Sequence, residues 1–166
     1  MNKKTHKLLS WIIVILWLLI IFSLSSQPAK DSNRLSESVT KQVVKATQKV
    51  SIPNIQIEPR RNALKKLNDV IRKYAHVAVY LVLGILVINA FVISGIKGCK
   101  AFFFSLMFCF LYAATDEIHQ VFVPGRGAKA TDVLIDGIGA FTGIIIYELI
   151  FKICQKTKTE SSSKRL

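Results

Sequence analysis

The sequence predicts an all-α integral membrane protein, a bundle of four transmembrane helices with amphipathic surface helices in its first long loop. Hydrophobic residues make up 51% of the 166 residues although the formal net charge is +13. Apolar segments in lipid, flanked by basic residues, explain both values together. Four windows of about 20 residues are mostly apolar, and none alternates at period two, which favours helices over a lipid-facing barrel. The three cysteines form no CxxC pair, so the sequence predicts neither a disulfide framework nor a zinc site.

The first helix is predicted at about residues 8–27, inside a single membrane domain that covers residues 1–154. Lys3, Lys4 and Lys7 precede it, as they would precede a cleaved signal peptide. Its apolar core is longer than that of a usual signal peptide and contains Trp11 and Trp17, so we favour an uncleaved anchor.

A long loop, about residues 28–73, follows the first helix and has two amphipathic stretches. Apolar residues recur there at helical spacing: Leu35, Val39, Val43, Ala46 and Val50, then Leu64, Leu67 and Ile71. We predict helices lying on the membrane surface with their basic residues toward anionic headgroups. Capture of an anionic envelope ligand is the functional alternative. The basic residues lack interleaved aromatic residues and flank lipid segments, so no nucleic-acid partner is expected.

The remaining helices are predicted at about residues 74–96, 101–121 and 132–153, before a polar tail at 155–166. Four spans place both termini on one side of the membrane. Lys3, Lys4 and Lys7 oppose a balanced set of charges after the first helix, and the first helix usually dominates orientation. We therefore predict cytoplasmic termini, an extracellular loop at 28–73 and a cytoplasmic tail.

Most of the informative polar residues occur where up–down connectivity brings helix ends to one membrane face. On the third helix, Tyr112, Asp116, His119 and Gln120 share a face, and Glu117 is rotated about 100° away. An Asp inside a membrane helix costs roughly 2.5–3.5 kcal/mol at its centre and less near the interface, so such residues should face inward and find partners.

The second and fourth helices carry matching stripes. His76, Tyr80 and Gly84 are spaced i, i+4, i+8. On the fourth helix, Asp132 and Asp136 share a face with Gly139-x-x-x-Gly143, a small-residue seam that permits close helix packing.

The turn between the third and fourth helices carries a basic residue. Residues 123–126, Val-Pro-Gly-Arg, predict a type II turn that holds Arg126 near the carboxylates. Arg126 either bridges these acids structurally or binds an anionic ligand.

Four stretches together resemble the VanZ-like family of membrane proteins. They are FSLSSQP (22–28), RKYAHVAVYLVLG (72–84), TDEIHQVFVPGR (115–126) and TDVLIDGIGAFTG (131–143). The resemblance implies a multi-pass protein of the bacterial cell membrane, acting at the cell envelope in glycopeptide (teicoplanin) resistance. The resemblance also marks nine motif positions, and we predict that these residues and Tyr80 bind the ligand. The nine are Gln27, His76, Asp116, Glu117, His119, Gln120, Arg126, Asp132 and Asp136.

Three functions remain open at this point. The first is a non-enzymatic protein whose outward polar pocket binds an anionic lipid, a cell-wall precursor or the antibiotic, or alters antibiotic access. The second is an enzyme acting on a phosphorylated or acylated lipid, with His76 or His119 as general base and Asp116 orienting it. The third is a proton-coupled transporter. It ranks last, because four helices are few for alternating access and the sequence has no repeated half.

Neither a cofactor nor a metal site is identified by the sequence. It contains no HExxH pair and no GxSxG nucleophile. The enzyme hypothesis would still allow a divalent cation on the carboxylates of Asp116, Glu117, Asp132 or Asp136.

Overall fold

The computed structural model describes residues 2–27, 57–124 and 127–163, and these form four α-helices and no strand. The helices are α1 (Lys3–Ser25), α2 (Ile57–Ile93), α3 (Cys99–Gln120) and α4 (Ala130–Ser163). The all-α prediction and its four apolar helices are confirmed. The first amphipathic stretch of the long loop, Leu35 to Val50, lies outside the described residues.

α1 begins five residues before the predicted start, since the lysine-containing turn is also helical. It ends at Ser25, where the backbone N–H of Ser26 donates to the carbonyl of Phe22. Lysines in the first turn can extend their charged ends out of the apolar layer, so they do not prevent a helix from forming there.

α2 is much longer than a bilayer requires, because its 37 residues span about 55 Å. The stretch that contains Leu64, Leu67 and Ile71 is helical and continuous with the apolar segment. The helix ends three residues before the predicted end, where Gly95 adopts φ 101°. The N–H of Ile96 donates to the carbonyl of Phe91 and that of Gly95 to Val92, the pattern of a Schellman cap.

α3 and α4 agree with the predicted helices to within two residues at their starts. α3 ends at Gln120, one residue before the predicted end. α4 continues as a helix to Ser163, ten residues beyond the predicted end of its apolar part. The N–H of Asp132 donates to the carbonyl of Lys129, which marks Lys129 as the residue that caps the start of α4.

α2 and α4 run parallel and form the most extensive contact of the bundle. An added Cβ at Gly139 would lie 2.5 Å from the carbonyl oxygen of Val77, and one at Gly143 would meet the carbonyl of Leu81. In the same way, Gly84 on α2 faces the backbone of Ala140. The predicted glycine seam is therefore present, and its partner is α2.

Hydrogen bonds from aromatic side chains attach α1 to its neighbours. Trp17 Nε1 donates to the carbonyl oxygen of Val79 on α2 (3.0 Å), and the Tyr112 hydroxyl of α3 donates to that of Leu18 (2.7 Å). Such bonds occupy polar groups that lipid cannot satisfy. The largest core cluster includes nine buried residues from all four helices: Val14, Ile21, Tyr80, Leu83, Val87, Ala90, Cys109, Ala113 and Ala140.

The outer surface of the bundle is strongly apolar. Large hydrophobic side chains are exposed on every helix, among them Leu16, Phe103 and Ile138. Four segments are long and apolar enough to cross a membrane: Lys3–Ser25, Lys73–Ile93, Cys99–Gln120 and Ala130–Gln155. Apolar faces of this extent suit a lipid environment, so the chain is a multi-pass membrane protein that contacts the bilayer.

Candidate functional site

The polar residues predicted to converge lie at one end of the bundle, opposite the chain termini. At the terminal end, Lys7 Nζ donates to the carbonyl oxygen of Ser94 (3.1 Å) and Trp11 Nε1 to the Ser94 hydroxyl (3.1 Å). At the other end, α1 and α3 finish and the apolar parts of α2 and α4 begin. Six side chains from all four helices meet there and are called the polar cluster: Ser25, His76, Tyr80, Asp116, Gln120 and Asp136.

The closest charged contact in the polar cluster joins α2 to α4. His76 Nδ1 lies 3.7 Å from Asp136 Oδ1, and the two side chains are 31% and 5% exposed. The glycine seam determines this approach, because Gly139 contacts Val77 one turn below Asp136. A carboxylate in this position can orient the imidazole and stabilise its protonated form.

Asp116 on α3 is linked to α1 through the side-chain amide of Gln120 and the hydroxyl of Ser25. Gln120 Nε2 donates to Ser25 Oγ (3.0 Å) and lies 3.4 Å from Asp116 Oδ2. The Ser25 side chain is also within hydrogen-bonding reach of Asp116, and His76 and Asp136 interact with Asp116 electrostatically. Its other oxygen, Oδ1, is buried and has no hydrogen-bond partner among the described residues.

Tyr80 occupies the inner side of the polar cluster. It is completely buried, and its hydroxyl also lacks a hydrogen-bond partner within the described part of the chain. The hydroxyl interacts electrostatically with both Asp116 and Asp136. Buried polar atoms are nearly always hydrogen-bonded in native proteins, so two such atoms, on side chains that interact electrostatically, require an explanation.

Glu117 lies on a different side of α3, as its rotation from Asp116 predicts. It is buried, and its Oε1 accepts a hydrogen bond of 2.5 Å from the backbone N–H of Lys129. This N–H belongs to the residue that caps α4, where the helix dipole favours a negative charge. Glu117 therefore holds the α3–α4 connection against the bundle.

His119 does not join the His76–Asp136 pair. Its ring packs against Phe22 of α1 with centroids 4.7 Å apart, and its Nε2 lies 3.2 Å from Ser26 Oγ. His119 lies about 60° around α3 from Asp116, and its ring meets Phe22 and Ser26 rather than His76.

The remaining predicted residues border the polar cluster or are not described. Gln27 is half-buried just after α1, and Asp132 is half-buried one turn above Asp136, with the Thr131 hydroxyl 3.5 Å from its Oδ1. Arg126 lies outside the described residues together with Gly125, and so does the type II turn predicted there.

Two serines at the end of α1 were not among the predicted site residues. Ser25 is buried in the polar cluster and Ser26 contacts His119. The available signal was two adjacent hydroxyls directly after the long apolar segment at 8–24. Within the described ranges, no group of three or more His, Cys, Asp or Glu side chains is arranged to hold a metal ion.

A known protein family matches this chain over most of its length. The sequence model of the VanZ/LLP1 family matches residues 10–152, a range that includes the whole polar cluster and most of all four apolar segments. Neither the curated proteins nor the solved structures include a significant match to this chain.

Proposed function

The chain belongs to the VanZ/LLP1 family, and we propose that it binds the headgroup of a cell-envelope component in its polar cluster and thereby confers resistance to glycopeptide antibiotics such as teicoplanin. Binding would restrict the access of the antibiotic to its target. The observation that carries the proposal is a pair of buried polar atoms, Asp116 Oδ1 and the Tyr80 hydroxyl, for which the described part of the chain offers no hydrogen-bond partner.

A purely structural polar cluster would be expected to satisfy its own hydrogen bonds. Leaving a buried donor or acceptor unpaired costs about 1–3 kcal/mol, and more for a charged group. A ligand that pairs with both atoms would recover this cost on binding. The unpaired atoms therefore favour a binding site over a packing contact.

The location of the polar cluster also supports a role at the envelope. We propose that the protein resides in a bacterial cell membrane with cytoplasmic termini, because Lys3, Lys4 and Lys7 precede the apolar part of α1 and Lys97 and Lys100 lie at the same end. The polar cluster, the loop at 28–73 and Arg126 would then belong to the outer side, and the tail at 155–166 to the cytoplasm. Gln27, Glu117, His119 and Asp132 would border the ligand, and Arg126 would contact its anionic part.

Antibiotic susceptibility tests this proposal directly. The wild-type chain and two conservative variants, Asp116→Asn and Tyr80→Phe, are expressed at matched membrane levels in a teicoplanin-susceptible bacterium. We expect the wild type to raise the minimal inhibitory concentration and both variants to lose most of this increase.

A matched control is Tyr147→Phe, about 16 Å further along α4 than Asp136. The Tyr147 hydroxyl donates to Asn89 Oδ1 (3.2 Å), so this variant also loses one tyrosine hydroxyl, but outside the polar cluster. It should retain the wild-type resistance. Full resistance in both polar-cluster variants would refute the proposal.

The His76–Asp136 pair favours a second function, a membrane enzyme acting on a phosphorylated or acylated envelope lipid. Asp136, rather than Asp116, is the carboxylate that faces His76, and an imidazole so oriented can act as a general base. Purified protein would be incubated with envelope lipids and the products analysed by mass spectrometry. A product formed by the wild type and absent with His76→Asn would support catalysis; unchanged lipids would reject it.

A further inference from the structure

The charges of the polar cluster do not balance. Asp116 and Asp136 are both buried, and His76 is the only basic side chain that the described residues contribute to the polar cluster. It pairs with Asp136 and interacts more weakly with Asp116. Even a protonated imidazole can compensate only one of two ionised carboxylates, so with both ionised, one unit of negative charge at Asp116 would have no counter-ion among the described residues.

The hydrogen-bonding capacity of the polar cluster is unbalanced in the same direction. Asp116 Oδ1 is an acceptor without a donor among the described residues, and the nearest amide, from Gln120, lies 3.4 Å from the other oxygen. That amide is already shared with Ser25. The Tyr80 hydroxyl, which interacts with both carboxyl groups, offers a second unused acceptor.

A ligand that matches these features carries one positive charge and several N–H donors. A primary ammonium group has both, with three donors on one nitrogen. A quaternary ammonium has the charge but no N–H donor, and its usual sites are aromatic cages. A divalent cation such as Ca²⁺ takes about six to eight oxygen ligands, whereas the described residues offer no group of three or more His, Cys, Asp or Glu for a metal.

We propose that the polar cluster recognises a primary ammonium group, which lies against Asp116 Oδ1 and the Tyr80 hydroxyl between the two carboxyl groups. This inference rests on the proposed function, since it names the chemistry of the ligand bound there. The group belongs either to a phosphatidylethanolamine headgroup or to a small free amine. His76, the more exposed member of its pair, marks the side from which the ligand enters.

The test compares two headgroup amines that differ in their N–H donors. The full chain is purified in a detergent without amines, and thermal unfolding is followed with increasing ethanolamine or choline as chloride salts at equal ionic strength. At tenfold excess over Kd, ethanolamine should raise the midpoint by about 3–6 °C, and choline should not.

Three variants localise the effect. Asp116→Asn removes a charge-assisted acceptor and should weaken ethanolamine binding by at least about tenfold. Tyr80→Phe should weaken it by about three- to tenfold. Tyr147→Phe is the matched control and should respond as the wild type does.

The source of the ammonium is distinguished in lipid nanodiscs. If the protein unfolds at a higher temperature in phosphatidylethanolamine than in phosphatidylcholine, and Asp116→Asn loses this difference, the ammonium belongs to the lipid headgroup. Stabilisation by free ethanolamine alone assigns it to a small amine. Either result supports the proposal.

Equal responses to ethanolamine and choline, or no response of the wild type to ethanolamine and to phosphatidylethanolamine, would overturn the ammonium proposal. The wild-type comparison needs no variant, so it remains decisive even if Asp116→Asn fails to fold. The proposed function fails separately, if Asp116→Asn and Tyr80→Phe retain full resistance. Loss of resistance without any ammonium effect would reject only the ammonium chemistry.

Discussion

Replacing Gly139 or Gly143 with alanine should separate α2 from α4 and so disturb the His76–Asp136 pair. At Gly139, the new methyl group would lie 2.5 Å from the carbonyl oxygen of Val77, while ordinary contacts begin at 3.4 Å. The helices would have to move apart by about 0.9 Å at this point. The obstacle is a helix backbone, which cannot turn aside as a flexible side chain can.

The expected loss of stability follows from two opposing terms. Overpacking typically costs about 1–3 kcal/mol. Alanine recovers about 1 kcal/mol through its higher helix propensity than glycine. Because the contact is with backbone, we expect the upper part of the overpacking range, and a net loss of about 1–2 kcal/mol for Gly139→Ala. The closer contact of Gly143 with Leu81 predicts a larger loss there.

A thiol-reactive fluorogenic dye provides the assay. Cys109 is completely buried, whereas Cys99 and Cys154 are exposed. In a background with both exposed cysteines replaced by serine, the dye reports unfolding through Cys109 alone. A net loss of 1–2 kcal/mol corresponds to a midpoint about 2–8 °C lower in a chain of this size.

Two other glycines provide graded controls. A Cβ at Gly127 meets nothing within 4 Å, so Gly127→Ala should leave the midpoint nearly unchanged. A Cβ at Gly137 meets the ring of Phe110, which can shift, so the loss there should be smaller than at Gly139 or Gly143. Midpoints for Gly139→Ala and Gly143→Ala equal to that of Gly127→Ala would refute the role of the seam.

Two further predictions concern α1 and the topology. Tyr112→Phe removes the hydroxyl that donates to the carbonyl of Leu18 and should cost about 1 kcal/mol, seen as a midpoint about 2–4 °C lower in the dye assay; an unchanged midpoint would show that this bond adds nothing to the attachment of α1. With cytoplasmic termini, Cys99 and Cys154 should react with a membrane-impermeant maleimide only after the cells are permeabilised, while Cys109 stays unlabelled in the folded protein; labelling of Cys99 and Cys154 in intact cells would reverse the orientation.

The spacing of residues predicted the faces of single helices well. Asp136, Gly139 and Gly143 share a stripe in the sequence, and all three face α2 in the structure. The sequence did not identify α2 as the partner, because helical spacing is a property of one helix. Which helices become neighbours depends on how all four pack together.

The two histidines show the same limit. Both were predicted to lie at the site, yet only His76 contacts Asp136, whereas His119 contacts Phe22 and Ser26. On α3, a rotation of about 60° separates His119 from Asp116, and spacing arguments do not show which neighbouring helix each of the two residues meets. The enzyme hypothesis has Asp116 orient a histidine base, whereas the carboxylate in contact with His76 is that of Asp136.

Helix ends were the least predictable feature. The lysines at positions 3, 4 and 7 marked the edge of the apolar segment, but they belong to α1, which begins at Lys3. Hydropathy reports where lipid can lie, whereas backbone hydrogen bonds determine where a helix ends. At the end of α2, the positive φ of Gly95 stops the helix, although the apolar Ile96 follows it.

Pairwise cross-linking in membranes tests most directly whether the four helix ends converge. In a cysteine-free background, the pairs Ser25→Cys with Gln120→Cys and His76→Cys with Asp136→Cys are treated with a short bifunctional maleimide. Both pairs should cross-link, because their native side chains lie 3.0 Å and 3.7 Å apart. Ser25→Cys with Ser94→Cys, from opposite ends of the bundle, should not. Failure of both site pairs in protein that is folded and inserted would contradict the shared polar cluster and, with it, the proposed binding site.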